Sequence, residues 1–244
     1  MSSLASRPDK SRILYPDSDG EPMAENTLQF RWIVTIEGGL DDLFRDRDDV
    51  FVAGDLLWYP VEGHPEIRQA PDAMVVFGRP KGYRGSYMQW VENNVLPQVV
   101  FEVLSPGNRA GEMERKRQFY ERYGVEEYYI YDPDNPDLTG WRRVGAALEE
   151  VPEMNGWVSP LLGIRFDLSG DELQIFRPDG RRFATYLELA EQRDHAHQRA
   201  DQERQERELA QQRADKERQA RELAEQKAER LAAQLRALGV NPET

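Results

Sequence analysis

The chain contains no cysteine, which removes disulfides, thiolate zinc sites and a thiol nucleophile together. A sequence of this kind suits a reducing compartment. Histidine is nearly absent too, with three in all. His64 lies in a Gly/Pro-rich turn, and His195 and His197 sit two apart in a charged helical stretch, where they fall on different faces and make poor co-ligands. There is no Gly-x-Ser-x-Gly elbow, Walker-type loop or Gly-x-Gly-x-x-Gly turn, so serine-hydrolase, nucleotide-hydrolysing and dinucleotide-binding chemistry all lack their usual marks. No run approaches the ~18 apolar residues of a membrane span. The polar start, Met1–Lys10, has no apolar signal segment. A cytoplasmic protein without membrane contact is the expectation.

Aromatic residues are missing from one region only. All five Trp, ten Tyr and nine Phe of the 244 residues precede residue 191, and the last 54 residues have none. A segment without aromatics is a poor candidate for a core of its own. Three parts follow: an irregular arm over 1–22, a folded domain over 23–189, and a charged helical tail over 190–244. From residue 191 the tail carries 11 basic and 12 acidic side chains, and the rest carries 21 and 33. The body is therefore near −12, which argues against nonspecific binding of a polyanion.

Within the body, Ala24–Ile36 predicts a helix with Leu28, Trp32 and Ile36 on one face, broken or bent at Gly38–Gly39 and resumed over Leu40–Phe44. Val50–Tyr59 predicts a strand ending at Pro60, Ala73–Phe77 a second and Gln98–Leu104 a third. Glu112–Tyr123 predicts a helix with Gly124 at its C′ position. Glu127–Tyr131 is the next strand, and short β segments from Trp141 to Arg177 suggest an antiparallel extension with a turn at Asp179–Gly180. This order gives a mixed α/β sheet flanked by helices.

The tail opens with Thr185 and Glu188 at capping-box spacing. It then repeats every 14 residues: Gln198–Asp201 is echoed by Gln212–Asp215, and Glu208–Ala210 by Glu222–Ala224. As heptads, Ala200, Ala214, Ala228 and Leu235 take a, and Ala210, Ala224, Leu231 and Leu238 take d. Glu203, Arg207, Glu217 and Arg221 interrupt that seam. Both a solvated helix held by i,i+4 ion pairs and an oligomerising coiled coil fit this pattern. Gly239 and Pro242 end it.

Carboxylates remain as the source of chemistry. Asp72 follows Pro71 at the start of a strand. Glu102 stands in an otherwise apolar strand between Phe101 and Val103, where a carboxylate is costly unless paired or bound to a cation. Two carboxylates brought together repel, and a divalent cation relieves the repulsion. Mg²⁺ suits one or two carboxylates completed by water and phosphate oxygens. Lys116, on the following helix, can face the same pocket. Local context alone also allows a strand-end cap for Asp72, an ion pair of Glu102 with Arg115 or Lys116, and a solvated Lys116.

The segments Ala70–Val76, Val100–Pro106, Lys116 with Tyr120, and Gly124–Tyr128 resemble, in order and spacing, the bacterial Uma-type restriction endonuclease family of the PD-(D/E)XK nuclease superfamily. The resemblance is strong over Val52–Pro133. It implies a restriction-endonuclease-like core with Asp72, Glu102 and the Val103 carbonyl around Mg²⁺, or alternatively Mn²⁺. The superfamily's usual lysine two residues after the acid is Leu104 here, and Lys116 takes its role. Glu25 matches the extra acidic residue that some members place near the metal on the first helix, and Asp55 is a further candidate. Arg79, Lys81 and Arg84 form a basic loop suited to DNA phosphates. The expectation is a metal-dependent hydrolase, an endonuclease cutting DNA, assembled as a homo-oligomer (a dimer) through domain or tail. The competing expectation is an inactive nuclease fold that serves as an oligomeric interaction module.

Overall fold

The computed structural model describes residues 13–18, 20, 22–107 and 110–237. Contacts divide the chain into two units between Tyr186 and Leu187. Much of the expected arm, residues 1–12, and the helix end at Gly239 and Pro242 lie outside the described residues. The described part of the arm is held in place. Tyr15 packs edge-on to Tyr59 at 5.3 Å and against Trp90 at 5.0 Å. The Tyr59 hydroxyl donates to the Pro16 carbonyl at 2.7 Å.

The first unit is built on a six-stranded sheet. Its strands in chain order are β1 (Val50–Ala53), β3 (Ala73–Phe77), β5 (Val99–Val103), β6 (Glu127–Asp132), β7 (Asp137–Val144) and β8 (Ala147–Glu150), and they lie side by side in that order. All neighbours are antiparallel except β5 and β6. That parallel pair is bridged by α2 (Ala110–Tyr123), because parallel strands need a crossover long enough for a helix. Two short pairs complete the β structure: β2 (Trp58–Tyr59) beside β4 (Tyr87–Met88), and β9 (Arg165–Asp167) beside β10 (Gln174–Phe176).

Side-chain alternation divides the central strands between two apolar layers. Val99, Phe101 and Val103 of β5 face a layer that includes Trp32, Ile33 and Ile36 of α1 (Thr27–Leu43), together with Phe166, Ile175 and Phe183. Val100 faces the opposite layer, with Tyr120 of α2, Tyr128 and Trp58. The same parity sends Glu102 toward α2.

Three sequence expectations need correction. First, α1 begins at Thr27 and not Ala24, because the Asn26 side chain caps it by accepting from the Gln29 amide at 2.8 Å. Secondly, α1 runs unbroken through Gly38–Gly39. A β-carbon on Gly39 would fall on the ring of Phe183, so this glycine is a seat for an aromatic ring and not a helix breaker. Thirdly, Val50–Tyr59 is not one strand: the chain turns at Asp55, which has a φ of 48°, and β2 leaves the main sheet. The other boundaries agree closely. Gly124 has a φ of 94°, as a helix C′ glycine requires.

The second unit begins at Leu187 and consists of α3 (Tyr186–Ala237) beyond its first residue; the helix is 52 residues long and has no buried residue. No helix among the described residues is long and apolar enough to cross a membrane.

The two glycines of α1 should respond oppositely to alanine. Gly38 is exposed and nothing lies within 4 Å of its would-be β-carbon, so Gly38→Ala should stabilise by about 0.5–1 kcal/mol. Gly39→Ala should destabilise by about 1–3 kcal/mol through overpacking on Phe183. Urea denaturation of both variants checks this, and equal shifts would contradict the packing.

Candidate active site

The sheet register builds the site. Ala73 of β3 pairs with Phe101 of β5. One residue further along, the same register brings Asp72 opposite Glu102. Asp72 lies just outside β3, and its Oδ2 accepts from the backbone N–H of Val103 at 2.6 Å. The two carboxylates thus stand on neighbouring strands, turned toward α2.

Helix α2 answers with two donors. Lys116 Nζ donates to Glu102 Oε2 at 2.7 Å, and the Tyr120 hydroxyl donates to Oε1 at 2.5 Å. Positions 116 and 120 are one helical turn apart, so one face of α2 presents both. Glu102 is 2% exposed. A carboxylate so placed needs such partners, because an unpaired buried charge costs several kcal/mol, about 3–5 when one partner of a pair is lost.

The electrostatics follow from burial and like charge. Asp72 is held well above the usual carboxylate range, chiefly by burial and then by the Glu102 charge, against the opposing Val103 N–H and Lys116. Asp55 adds a smaller push in the same upward direction. For Lys116, burial favours the neutral amine, but Glu102, Asp72 and Glu112 together outweigh it and the ammonium is strengthened. The Tyr120 hydroxyl is pushed far up by burial and by Glu102, so it remains a donor.

Asp72 and Lys116 open onto a cleft of about 600 Å³. Its walls carry five carboxylates, Glu25, Asp55, Glu66, Asp72 and Glu112, against two cations, Arg68 and Lys116. A polyanion entering such a cleft meets net repulsion unless a cation enters with it.

The expected site residues come together unevenly. Asp72, Glu102, Val103 and Lys116 form one cluster. Glu25 lines the cleft but is not on α1: it precedes the cap residue and accepts from Ser105 Oγ at 2.5 Å. Asp55 lines the cleft from the turn after β1. The basic loop is paired within the chain. Arg79 and Arg84 both donate to Glu92, at 2.8 and 2.6 Å, and their side chains are only 17% and 12% exposed. Arg84 also lies 4.0 Å from the centre of the Phe51 ring. Lys81 reaches Asp41 at 3.3 Å. None of the three lines the cleft; the pairing partners stand elsewhere in the chain, so the loop sequence alone gave no sign of them.

One residue escaped the sequence reading. Gln29 of α1 is buried, and its amide donates to the Val103 carbonyl at 2.9 Å. Its Oε1 accepts from the Glu25 backbone N–H at 2.8 Å. The available signal was a polar residue on the apolar stripe shared by Trp32, Ile33 and Ile36.

Among the described residues, no three His, Asp or Glu side chains converge into a ready-made metal cage. The donor set nonetheless suits a hard divalent cation of the Mg²⁺ kind, which takes one or two carboxylates and completes its shell with water and phosphate oxygens.

A family model described as "Uma2: Putative restriction endonuclease" matches residues 7–175. No curated protein matches the chain. Among solved structures, "a putative nuclease belonging to DUF820" from Anabaena variabilis ATCC 29413 is 12% identical, with 55% of this chain and 72% of that chain covered and a TM-score of 0.42.

Because Asp72 is harder to ionise in the fold than in the unfolded chain, its contribution to stability is greatest at low pH. It is lost as pH rises from the ordinary aspartate range through the raised value. Asp72→Asn keeps an acceptor for Val103 and removes that dependence. Denaturant midpoints of both proteins across pH, without divalent ions, should therefore diverge in favour of the variant as pH rises. Parallel curves would refute the raised Asp72.

Proposed function

Since the chain belongs to the Uma2 restriction endonuclease family, we propose that it is a divalent-metal-dependent endonuclease that hydrolyses phosphodiester bonds of DNA at the cleft lined by Asp72 and Lys116, with the buried Glu102 bonded to Lys116. One observation carries the reading. Two carboxylates meet across β3 and β5 with a charged lysine fixed beside them, at the wall of an acidic cleft.

Asp72, Glu102 and the Val103 carbonyl would hold the cation, Mg²⁺ or Mn²⁺. Bound there, it supplies Lewis-acid polarisation of the scissile phosphate and a water of lowered pKa. The chain's own groups do the rest. The Val103 N–H fixes the orientation of Asp72. Gln29, which also lines the cleft, steadies the Val103 carbonyl. Tyr120 holds one oxygen of Glu102 and so fixes its orientation beside Lys116. Lys116, a full cation, orients the attacking water and offsets charge that builds on the phosphate. Glu25 and Asp55 line the approach and add negative potential that favours cation entry.

The competing reading, an inactive nuclease fold used for interaction, draws on two observations. Both Glu102 oxygens already have donors, and the basic loop is consumed by internal pairs. One assay separates the two: cleavage of plasmid and single-stranded DNA at low salt with Mg²⁺, Mn²⁺ or EDTA. Wild type should nick plasmid only with metal. Asp72→Ala and Glu102→Ala should abolish cleavage, and Lys116→Ala should slow it by about 10²–10⁴-fold, the usual worth of a positioned proton-transfer group. Absence of cleavage under every metal supports the interaction module. Wild-type rates in both carboxylate variants would place the chemistry elsewhere.

A further inference from the structure

Helix α3 is 52 residues long, yet none of its side chains is buried. Its stripe is written in a heptad code whose charges are ordered. Ala196, Glu203, Ala210, Glu217, Ala224 and Leu231 occupy d, seven residues apart. Arg193, Ala200, Arg207, Ala214, Arg221 and Ala228 occupy a. Glutamate takes alternate d positions and arginine alternate a positions.

In a parallel, in-register pair of helices each a residue meets its own copy, and so does each d residue. Arg207 and Arg221 would each face themselves, as would Glu203 and Glu217. With Arg193, five layers of like charge would lie in the seam. An antiparallel pair behaves differently, because there each a residue meets a d residue of the partner. With the two-fold axis at the level of Gln212, Glu203 meets the partner's Arg221, and Arg207 meets the partner's Glu217. Ala210 meets the partner's Ala214, Ala200 the partner's Ala224, and Ala196 the partner's Ala228. Leu189 meets the partner's Leu235. Only Arg193, opposite the partner's Leu231, breaks the match.

We infer that α3 is a self-recognition element that pairs with α3 of a second copy as an antiparallel coiled coil centred at Gln212. Three features carry this. The charges are complementary in that arrangement and self-repelling in the parallel one. Gln212 lies at the midpoint of Tyr186–Ala237, so this register overlaps the helix along its whole length, about 78 Å at ~1.5 Å per residue. Alanine fills the other central layers, and small side chains let two backbones approach closely.

Apolar area alone would not fix the register, since one Ala–Ala layer differs little from another. Charged groups in a seam weaken it but select orientation and alignment. In the single helix, Arg207 lies only 3.8 Å from Glu203, and both side chains are largely exposed. Little has to be broken to form the interhelical pairs, which would join Glu203, Arg207 and the partner's Glu217 and Arg221 in one network on each side of the axis.

The chain's lack of cysteine makes the test direct. Sedimentation of the full chain at micromolar concentration should give a dimer. The variants A210C and A214C, oxidised separately, should not crosslink, and an equimolar mixture of the two should form a disulfide-linked pair. E203R/E217R and R207E/R221E should each be monomeric with helicity unchanged by circular dichroism, and mixing them should restore the dimer. A monomeric wild type overturns the inference. So does efficient crosslinking of A210C alone, which marks a parallel pair, or a dimer that survives in E203R/E217R, which marks contact elsewhere.

Discussion

The structure of the first unit depends on how a carboxylate is kept on a central, fully buried strand. Glu102 can occupy β5 only because α2 delivers an ammonium and a phenol to its two oxygens. That requirement sets the position of α2 over the sheet. It also accounts for the aromatic packing around the crossover: Tyr120 must reach Glu102 while its ring lies tilted 4.9 Å from Tyr128 and parallel to Trp58 at 6.5 Å. Hydrogen bonds to a charged group contribute about 1.5–3 kcal/mol each, so either donor matters to a fold of marginal net stability.

Negative charge is managed in two ways in this unit. Where carboxylates are structural, they are fully supplied with donors. Glu92 takes two arginines and is held below the usual carboxylate range, first by its bonds to Arg84. Glu127, on β6, is buried without a cation and accepts instead from Ser159, Tyr129 and the Leu161 N–H; burial still raises it. Around the cleft, carboxylates outnumber cations.

Most of the fold was legible, because its cues are local. The apolar runs of β3 and β5, Pro71 before Asp72 and the glycine after α2 each act within a few residues. The pairing of Asp72 with Glu102 was legible in outline from the family resemblance. What was not legible depends on contacts distant in sequence. Gly38–Gly39 reads as a helix break until Phe183 is found in the space, and Arg79 and Arg84 read as a free basic loop until Glu92 is seen between them. Gln29 reads as an ordinary helix residue until Val103, 74 positions away, is placed against it. Asp55 carries no mark of its left-handed backbone except its taste for turns.

Helix α1 touches the rest of the unit at two specialised points. Near its start Gln29 grips the Val103 carbonyl, and ten residues on Gly39 receives the Phe183 ring. In mechanical terms the helix is a rod on two bearings, about 15 Å apart. Sliding it by a single residue, ~1.5 Å, would unseat the ring and strip the carbonyl of its donor together. One degree of freedom is thereby removed from the cleft, because Gln29 is among the residues that line it.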